Sequence, residues 1–183
     1  PNNSIVSLLS AVEDNEHLEV GIVGNDGMAG LTVFMGVDKS RNRALVQGAG
    51  DALRMKAAAL RGEVSNGGSL HKLLHRYTHS LLTQFSQSAA CNRFHLVNAR
   101  LARWLLMTHD RVEGDEFRLT QEFISYMLGV RREEVTRAAS SLQKQKLISY
   151  RRGHIRILDH AGLKAVSCKC YRVLKDEFDN FLA

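Results

Sequence analysis

Residues 119–158 read LTQEFISYMLGVRREEVTRAASSLQKQKLISYRRGHIRIL and parse as helix, tight turn, helix, hairpin. Thr120 offers an N-cap hydroxyl, and Phe123 with Met127 and Ile124 with Leu128 fall at i, i+4 on adjoining stripes of one helical face. Gly129 follows at once, where a left-handed residue ends a helix without a Cβ clash, and Val130 can plug the corner between two helices. The second helix runs from about Arg132 to Gln145. Its spacing buries Val135, Ala138, Ala139 and Leu142, while Arg132, Glu133, Thr136 and Arg137 point elsewhere. An apolar face opposed by an Arg-rich N-terminal end is what a recognition helix requires, because its first turns must enter the major groove and reach base edges. Ile148 and Tyr150, then Ile155 and Ile157, alternate with polar residues around Arg151-Arg152-Gly153-His154, which predicts a two-stranded hairpin with a cationic loop. Behind a helix-turn-helix, such a hairpin reads as a wing that touches phosphates.

The charge distribution points the same way. Residues 131–156 carry eight Lys/Arg (131, 132, 137, 144, 146, 151, 152, 156) against two acids (133, 134), an excess equal to the +6 of the whole chain. From 1 to 92 the eight basic and eight acidic residues cancel. Charge gathered on one segment is a footprint for a polyanion, of which nucleic acid is the commonest, and the partner expected with a helix-turn-helix is double-stranded DNA. Taken alone it is equally compatible with a solvated basic face; the apolar pattern beneath it favours the footprint.

The stretch 119–158 resembles the winged helix-turn-helix of the Crp/Fnr family of bacterial transcription regulators, and ARLARWLL at 99–106 looks like the helix that precedes it. The resemblance implies base reading by Arg132, Glu133 and Arg137 and backbone contacts from Thr120 and Gln121. It also implies a homodimer and contact with RNA polymerase. The family commonly has Ser just before the Arg-Glu pair, where this chain has Arg131. Either the helix start is capped by backbone alone, or Arg131 is an additional phosphate contact. The DNA-binding set expected from sequence is Thr120, Gln121, Arg131, Arg132, Glu133, Thr136, Arg137, Arg151, Arg152 and His154.

The 183 residues allow one or two domains, with 44% apolar content enough for real cores and 7% aromatics that speak against disorder. No apolar run approaches the roughly 20 residues that span a bilayer, and nothing at the N-terminus resembles a signal peptide, so no membrane partner and a cytoplasmic location are expected. Three Cys, an odd number without scaffold density, agree with a reducing compartment. The chain opens at Pro1 directly in strand-like material, which predicts a piece of a longer protein.

Between 4 and 57, the short apolar segments SIVSLLSAV, HLEVGIVG, GLTVF, ALVQ and DALRM are separated by Gly, Asn and Asp clusters, a β-sandwich or barrel pattern. The resemblance sharpens it to the later strands of a jelly-roll sensor domain. Family members that bind cyclic nucleotides meet the ribose with a Glu and the phosphate with an Arg. Here the matching stretches are Met28-Ala29-Gly30-Leu31 and Asn42-Arg43-Ala44. The Glu is missing, and Arg43 is one residue out of register, so on a strand it faces the other side. A buried phosphate without its bidentate partner is poorly compensated, and no cyclic-nucleotide cofactor is expected.

Leu70, Leu74, Tyr77, Leu81, Phe85 and Ser88 step by three and four along a helix, with Leu73, Leu82 and Ala89 widening the stripe. The breadth predicts a dimer seam, the use the family makes of the equivalent helix, and the competing account is a helix facing its own core. Residues 92–98 form the hinge, with Leu96 where the family often places a capping Ser or Asp. The segment from Asp159 to Leu182 reads as one helix packed on the DNA-binding domain. On that helix Cys168 and Cys170 would point apart and share no metal ion, so no metal site is expected there. His71, His75 and His79 form a ladder, which is either a metal face or a polar flank of the seam. Cys91 lacks a resolving partner in sequence. The glycines at 21, 24, 27 and 30 follow no phosphate-binding pattern, and no nucleophile or paired-carboxylate arrangement stands out, so an enzyme is not expected.

The fold class expected is therefore α+β. A partial β-jelly-roll sensor domain spans 1–68, a dimerisation helix and hinge 69–95, and a C-terminal winged helix-turn-helix 96–183. The function expected is a sequence-specific, homodimeric DNA-binding transcription regulator. The alternative is a ligand- or metal-sensing binding protein whose helix-turn-helix is a packing module that does not bind DNA.

Overall fold

The computed structural model describes residues 1–13, 16–112 and 114–182, the side chains of residues 12, 13, 16 and 182 excepted. Residue 183, the last of the winged-helix domain as read from sequence, lies outside the described residues. Three strands, β1 (Ile5–Glu13), β2 (Glu16–Val23) and β3 (Arg43–Gly48), form an antiparallel sheet in the order β2-β1-β3. Two helices follow, α1 (Ala57–Ser65) and the 26-residue α2 (Ser69–Phe94). The remainder is α3 (Val97–His109), β4 (Glu116–Arg118), α4 (Gln121–Leu128), α5 (Arg132–Lys144), β5 (Ile148–Arg151), β6 (His154–Ile157), α6 (His160–Val166) and α7 (Cys170–Leu182). Strands β4, β6 and β5 make a second antiparallel sheet in that order.

Two apolar segments expected to be strands are not. In GLTVF only Leu31 is buried, and the chain turns through a short 3₁₀ stretch at Leu31–Val33 between Gly30 and Gly36, both at positive φ. Left-handed residues at both ends bend the backbone where an extended strand would need to continue. Residues 51–55 pair with nothing in either sheet, and Leu53 is 87% exposed. After them comes α1, a helix inside the region read as roll. The wing also holds a third strand, β4, beyond the two expected.

The C-terminal segment is two helices. Asp159 caps α6 by accepting a hydrogen bond from the Gly162 amide at 2.9 Å. Ser167 then takes an extended conformation, and the chain restarts at Cys170. Nor does α7 pack on the C-terminal half alone, the arrangement expected from sequence. Tyr171 and Leu174 enter the core of the winged helix, whereas Phe178 and Phe181 pack with Leu74, Tyr77 and Leu81 of α2.

The roll and the C-terminal half share a core. Ile5, Leu9 and Ile22 of the sheet pack with Trp104, Leu105, Ile124, Val135, Leu142 and Ile155, all buried. Each such side chain contributes about 1.5–3 kcal/mol by leaving water. Polar contacts add to this seam. Trp104 donates its indole N–H to Glu19 of β2 at 2.7 Å, and Arg111 pairs with Asp26 at 2.5 Å while lying over the Phe178 ring.

Candidate nucleic-acid interface

The helix-turn-helix is built locally as the sequence requires. Thr120 caps α4, its hydroxyl accepting from the Phe123 amide at 3.1 Å. Gly129 closes α4 at φ 59°, a left-handed conformation that favours glycine, and a Cβ there would also press on the end of the Leu18 side chain of β2. Helix α5 buries Val135, Ala138, Ala139 and Leu142. Its start is capped by Glu134, whose carboxylate accepts from the Arg131 amide at 3.1 Å. The Arg131 side chain has no acceptor and caps nothing, which leaves its guanidinium free to reach outward.

Arg131, Arg132, Glu133, Thr136 and Arg137 are all exposed on the outward side of α5. Thr136 is partly engaged: its hydroxyl lies 2.8 Å from Gln121 Oε1 and 3.0 Å from the Arg132 carbonyl, tying α5 to the first turn of α4. Thr136 and Gln121 therefore brace the two helices against each other.

The wing is fixed to this pair by three hydrogen bonds. Leu119 N–H donates to the Gly153 carbonyl at 2.7 Å, Tyr150 hydroxyl to the Leu119 carbonyl at 2.8 Å, and Tyr150 N–H to the Gln143 side chain at 2.7 Å. Burial pushes the Tyr150 phenol up to about 12, so it remains a donor. The tip is Arg152-Gly153, both at positive φ (51° and 82°), the signature of a type I′ turn. Arg151 pairs with His154 across the ladder, and His154 with Arg118 of β4, so these three share one exposed face.

Not every wing cation is free. Glu116 binds Arg156 at 2.7 Å and lies 3.8 Å from His154, which draws both toward it. Arg156 holds the Glu116 carboxyl below its usual range. Arg131, Arg132, Arg137, Arg151 and Arg152 form no ion pair among the described residues. Arg118, absent from the expected set, joins this surface because β4 is too short for its alternation to show in sequence.

Residues 99–166 match the Crp-like helix-turn-helix domain. The chain carries a Crp-like helix-turn-helix. Its overall fold is that of Crp/Fnr regulators. A CRP-family transcriptional regulator from Thermus thermophilus superposes with TM-score 0.72 at 19% identity, over 91% of this chain and 85% of that one. A Crp/Fnr-family regulator from Eubacterium rectale gives 0.66 at 19% identity over 90% and 77%. FixK2 from Bradyrhizobium japonicum gives 0.65 at 15% over 91% and 84%. No curated protein matches the sequence. Among the described residues no helix is long and apolar enough to cross a membrane.

In this Crp-like chain the face of α2 expected to be the seam is turned inward. Leu74, Tyr77 and Leu81 are buried against Leu8, Val23, Leu31, Phe178 and Phe181 of the same chain; Leu70 and Phe85 pack on that cluster, and Ser88 is buried. The stripe is as broad as its spacing predicts, but the roll and α7 cover most of it. What remains exposed along α2 beside the covered face includes Leu82, at the rim of the roll, and Ser86 and Ala89. The histidine ladder lies on the outward side too. His71 and His75 meet edge to face, ring centroids 4.5 Å apart, beside Phe34, while His79 is paired with Glu177 at 2.8 Å.

Between the roll and α2 lies a cavity of about 210 Å³ whose lining includes Met28, Leu31, Asn42, Ala44, Thr78 and Leu82. Among the described residues its lining carries no Lys, Arg, Asp or Glu. Asn42 and Ala44 face it and Arg43 does not: the Arg43 guanidinium lies 2.9 Å from the His17 ring on β2. Alternation along β3 sends it away from the cavity.

Proposed function

We propose that the chain is a sequence-specific transcription regulator that binds double-stranded DNA as a homodimer. Helix α5 enters the major groove, Arg132, Glu133 and Arg137 meet base edges, and Arg131, Arg151, Arg152 and Arg118 hold phosphates. The observation that carries this reading is the set of guanidiniums exposed on α5 and the wing that form no ion pair among the described residues, with the wing hydrogen-bonded to Leu119 and to Gln143 of α5. A packing module has no use for unneutralised charge there, and a polyanion does.

The dimer, on this proposal, meets along Leu82, Ser86 and Ala89. Ser86 returns its hydroxyl to the Leu82 carbonyl at 2.9 Å, so the stripe presents small and apolar surface. A two-fold pair places two recognition helices on half-sites about one helical turn, 34–36 Å, apart. The roll takes no cyclic nucleotide, because its cavity offers nothing to meet a phosphate charge.

Selection from a random DNA pool tests the function. The expected product is an inverted repeat with half-site centres about 10 base pairs apart. A pool that stays random after rounds that retain the protein's bound fraction contradicts sequence-specific reading.

A further inference from the structure

All three cysteines of the chain come together with one histidine where the hinge meets the C-terminal helices. Cys91 lies in the last turn of α2, His95 caps that helix, Cys168 sits in the break between α6 and α7, and Cys170 begins α7. One ligand atom from each of the four lies within 4.8 Å of every other. Cys91 Sγ is 3.5 Å from Cys168 Sγ, and Cys170 Sγ is 3.4 Å from His95 Nδ1. The helix break changes the expectation drawn from sequence: on one continuous helix Cys168 and Cys170 would diverge, but the extended Ser167 lets both sulfurs turn to one point.

These spacings fit a single tetrahedral ion. With metal–sulfur bonds near 2.3 Å and metal–nitrogen bonds near 2.0–2.1 Å, the edges of such a tetrahedron are roughly 3.5–3.8 Å. An iron–sulfur cluster, which distributes its thiolates over several irons, needs them farther apart than one ion does. Thiolate with imidazole selects zinc-class ions over magnesium or calcium.

A second observation stands beside the ligands. Arg100 and Arg103 of α3 are 6% and 5% exposed, and the Nε atom of each lacks a hydrogen-bond partner. Their charges act on the same thiols, Arg100 on Cys91 and Cys168, Arg103 on both as well. Arg100 also donates to the Leu128 carbonyl, and Glu134 and Glu19 act on the two guanidiniums without forming ion pairs with them among the described residues, so an anion at the thiols would add to a partial compensation. Three thiolates, one neutral imidazole and one divalent ion sum to a single negative charge, which supplies that anion. Gln87 adds an outer contact, its amide lying 3.0 Å from Cys170 Sγ.

We propose that Cys91, His95, Cys168 and Cys170 bind one zinc ion, releasing three thiol protons to solvent, and that this ion clamps the end of α2 and the hinge to α7. The clamp fixes how the helix-turn-helix is carried on α2. It does not depend on the DNA-binding reading, since no ligand belongs to α4, α5 or the wing.

Cobalt(II) titration of the reduced, full-length protein tests the site. The expected result is one equivalent bound per chain, with thiolate charge-transfer and intense tetrahedral d–d bands that zinc bleaches. Cys168→Ser should abolish the bands. His95→Ala replaces the ligand nearest to solvent, and should keep the circular dichroism of the parent while weakening cobalt binding at least tenfold. Zinc loading should also raise the melting temperature of the parent and leave that of Cys168→Ser unchanged. A folded, reduced protein that shows no such bands overturns the proposal. So do bands that survive both substitutions, or a Cys91–Cys168 disulfide forming readily in a protein whose reduced form takes up no cobalt or zinc.

Discussion

Trp104 of α3 donates its indole N–H to Glu19 of β2 at 2.7 Å, so the roll grips the first helix of the C-terminal half through one half-buried carboxylate. Burial pushes that carboxyl up to about 7, outweighing the Trp104 hydrogen bond and the charges of Arg103 and Arg111. The folded state therefore holds a proton that the unfolded chain releases near 4.5. The stabilisation is fully present below about pH 4.5 and is lost as pH rises through about 7. Glu19→Gln mimics the protonated acid and should gain about 1–3 kcal/mol relative to the parent at pH 8 and little at pH 5. Urea denaturation at the two pH values measures this. The same difference at both would show that Glu19 is ionised throughout.

The two faces of α2 should respond differently to charge. Leu81, 6% exposed, is in the chain's own core, and Leu81→Asp should cost about 3 kcal/mol or more of stability. Leu82, 55% exposed, is on the outer stripe, and Leu82→Glu should leave the melting temperature within a few degrees while converting dimers to monomers in sedimentation. An unchanged dimer for Leu82→Glu would place the seam elsewhere.

Glu116 neutralises a wing cation, so removing it should help DNA binding. Glu116→Gln releases Arg156 and His154 and should tighten binding to any duplex, steepening the dependence of log K on log salt by about one. Fluorescence anisotropy over a salt series reads this. A slope that does not change would mean that this face of the wing stays clear of phosphates.

Cyclic AMP and cyclic GMP should not bind. Calorimetry at micromolar protein should give no heat beyond dilution, because Arg43 is turned to His17 and the cavity is uncharged. Micromolar binding lost in Arg43→Ala would show that β3 can shift its register.

How much of this was legible in the sequence depended on how long each pattern persisted. Helices α4 and α5 repeat their apolar spacing over two to four turns and flank Gly129, so their buried faces were readable residue by residue. The N-cap at Thr120 and the wing alternation were equally local. Arg118 was not readable, because three residues give no period. The stripe on α2 is plain in the sequence, but periodicity reveals that a face is covered and not by what; Phe178 and Phe181, about a hundred residues away, cover it. The site at Cys168 and Cys170 was hidden by the same limit. Apolar spacing continued across Ser167 as though the helix did, and only tertiary packing of α7 on α2 breaks it.

The most direct test of DNA reading is Arg132→Ala, measured by anisotropy at one salt concentration on the selected site and on random duplex of equal length. Loss of a bidentate base contact should weaken the site by about 1–3 kcal/mol, roughly 5- to 150-fold, and change random binding by less than about twofold. Equal losses on the two duplexes would contradict the placement of α5 in the major groove.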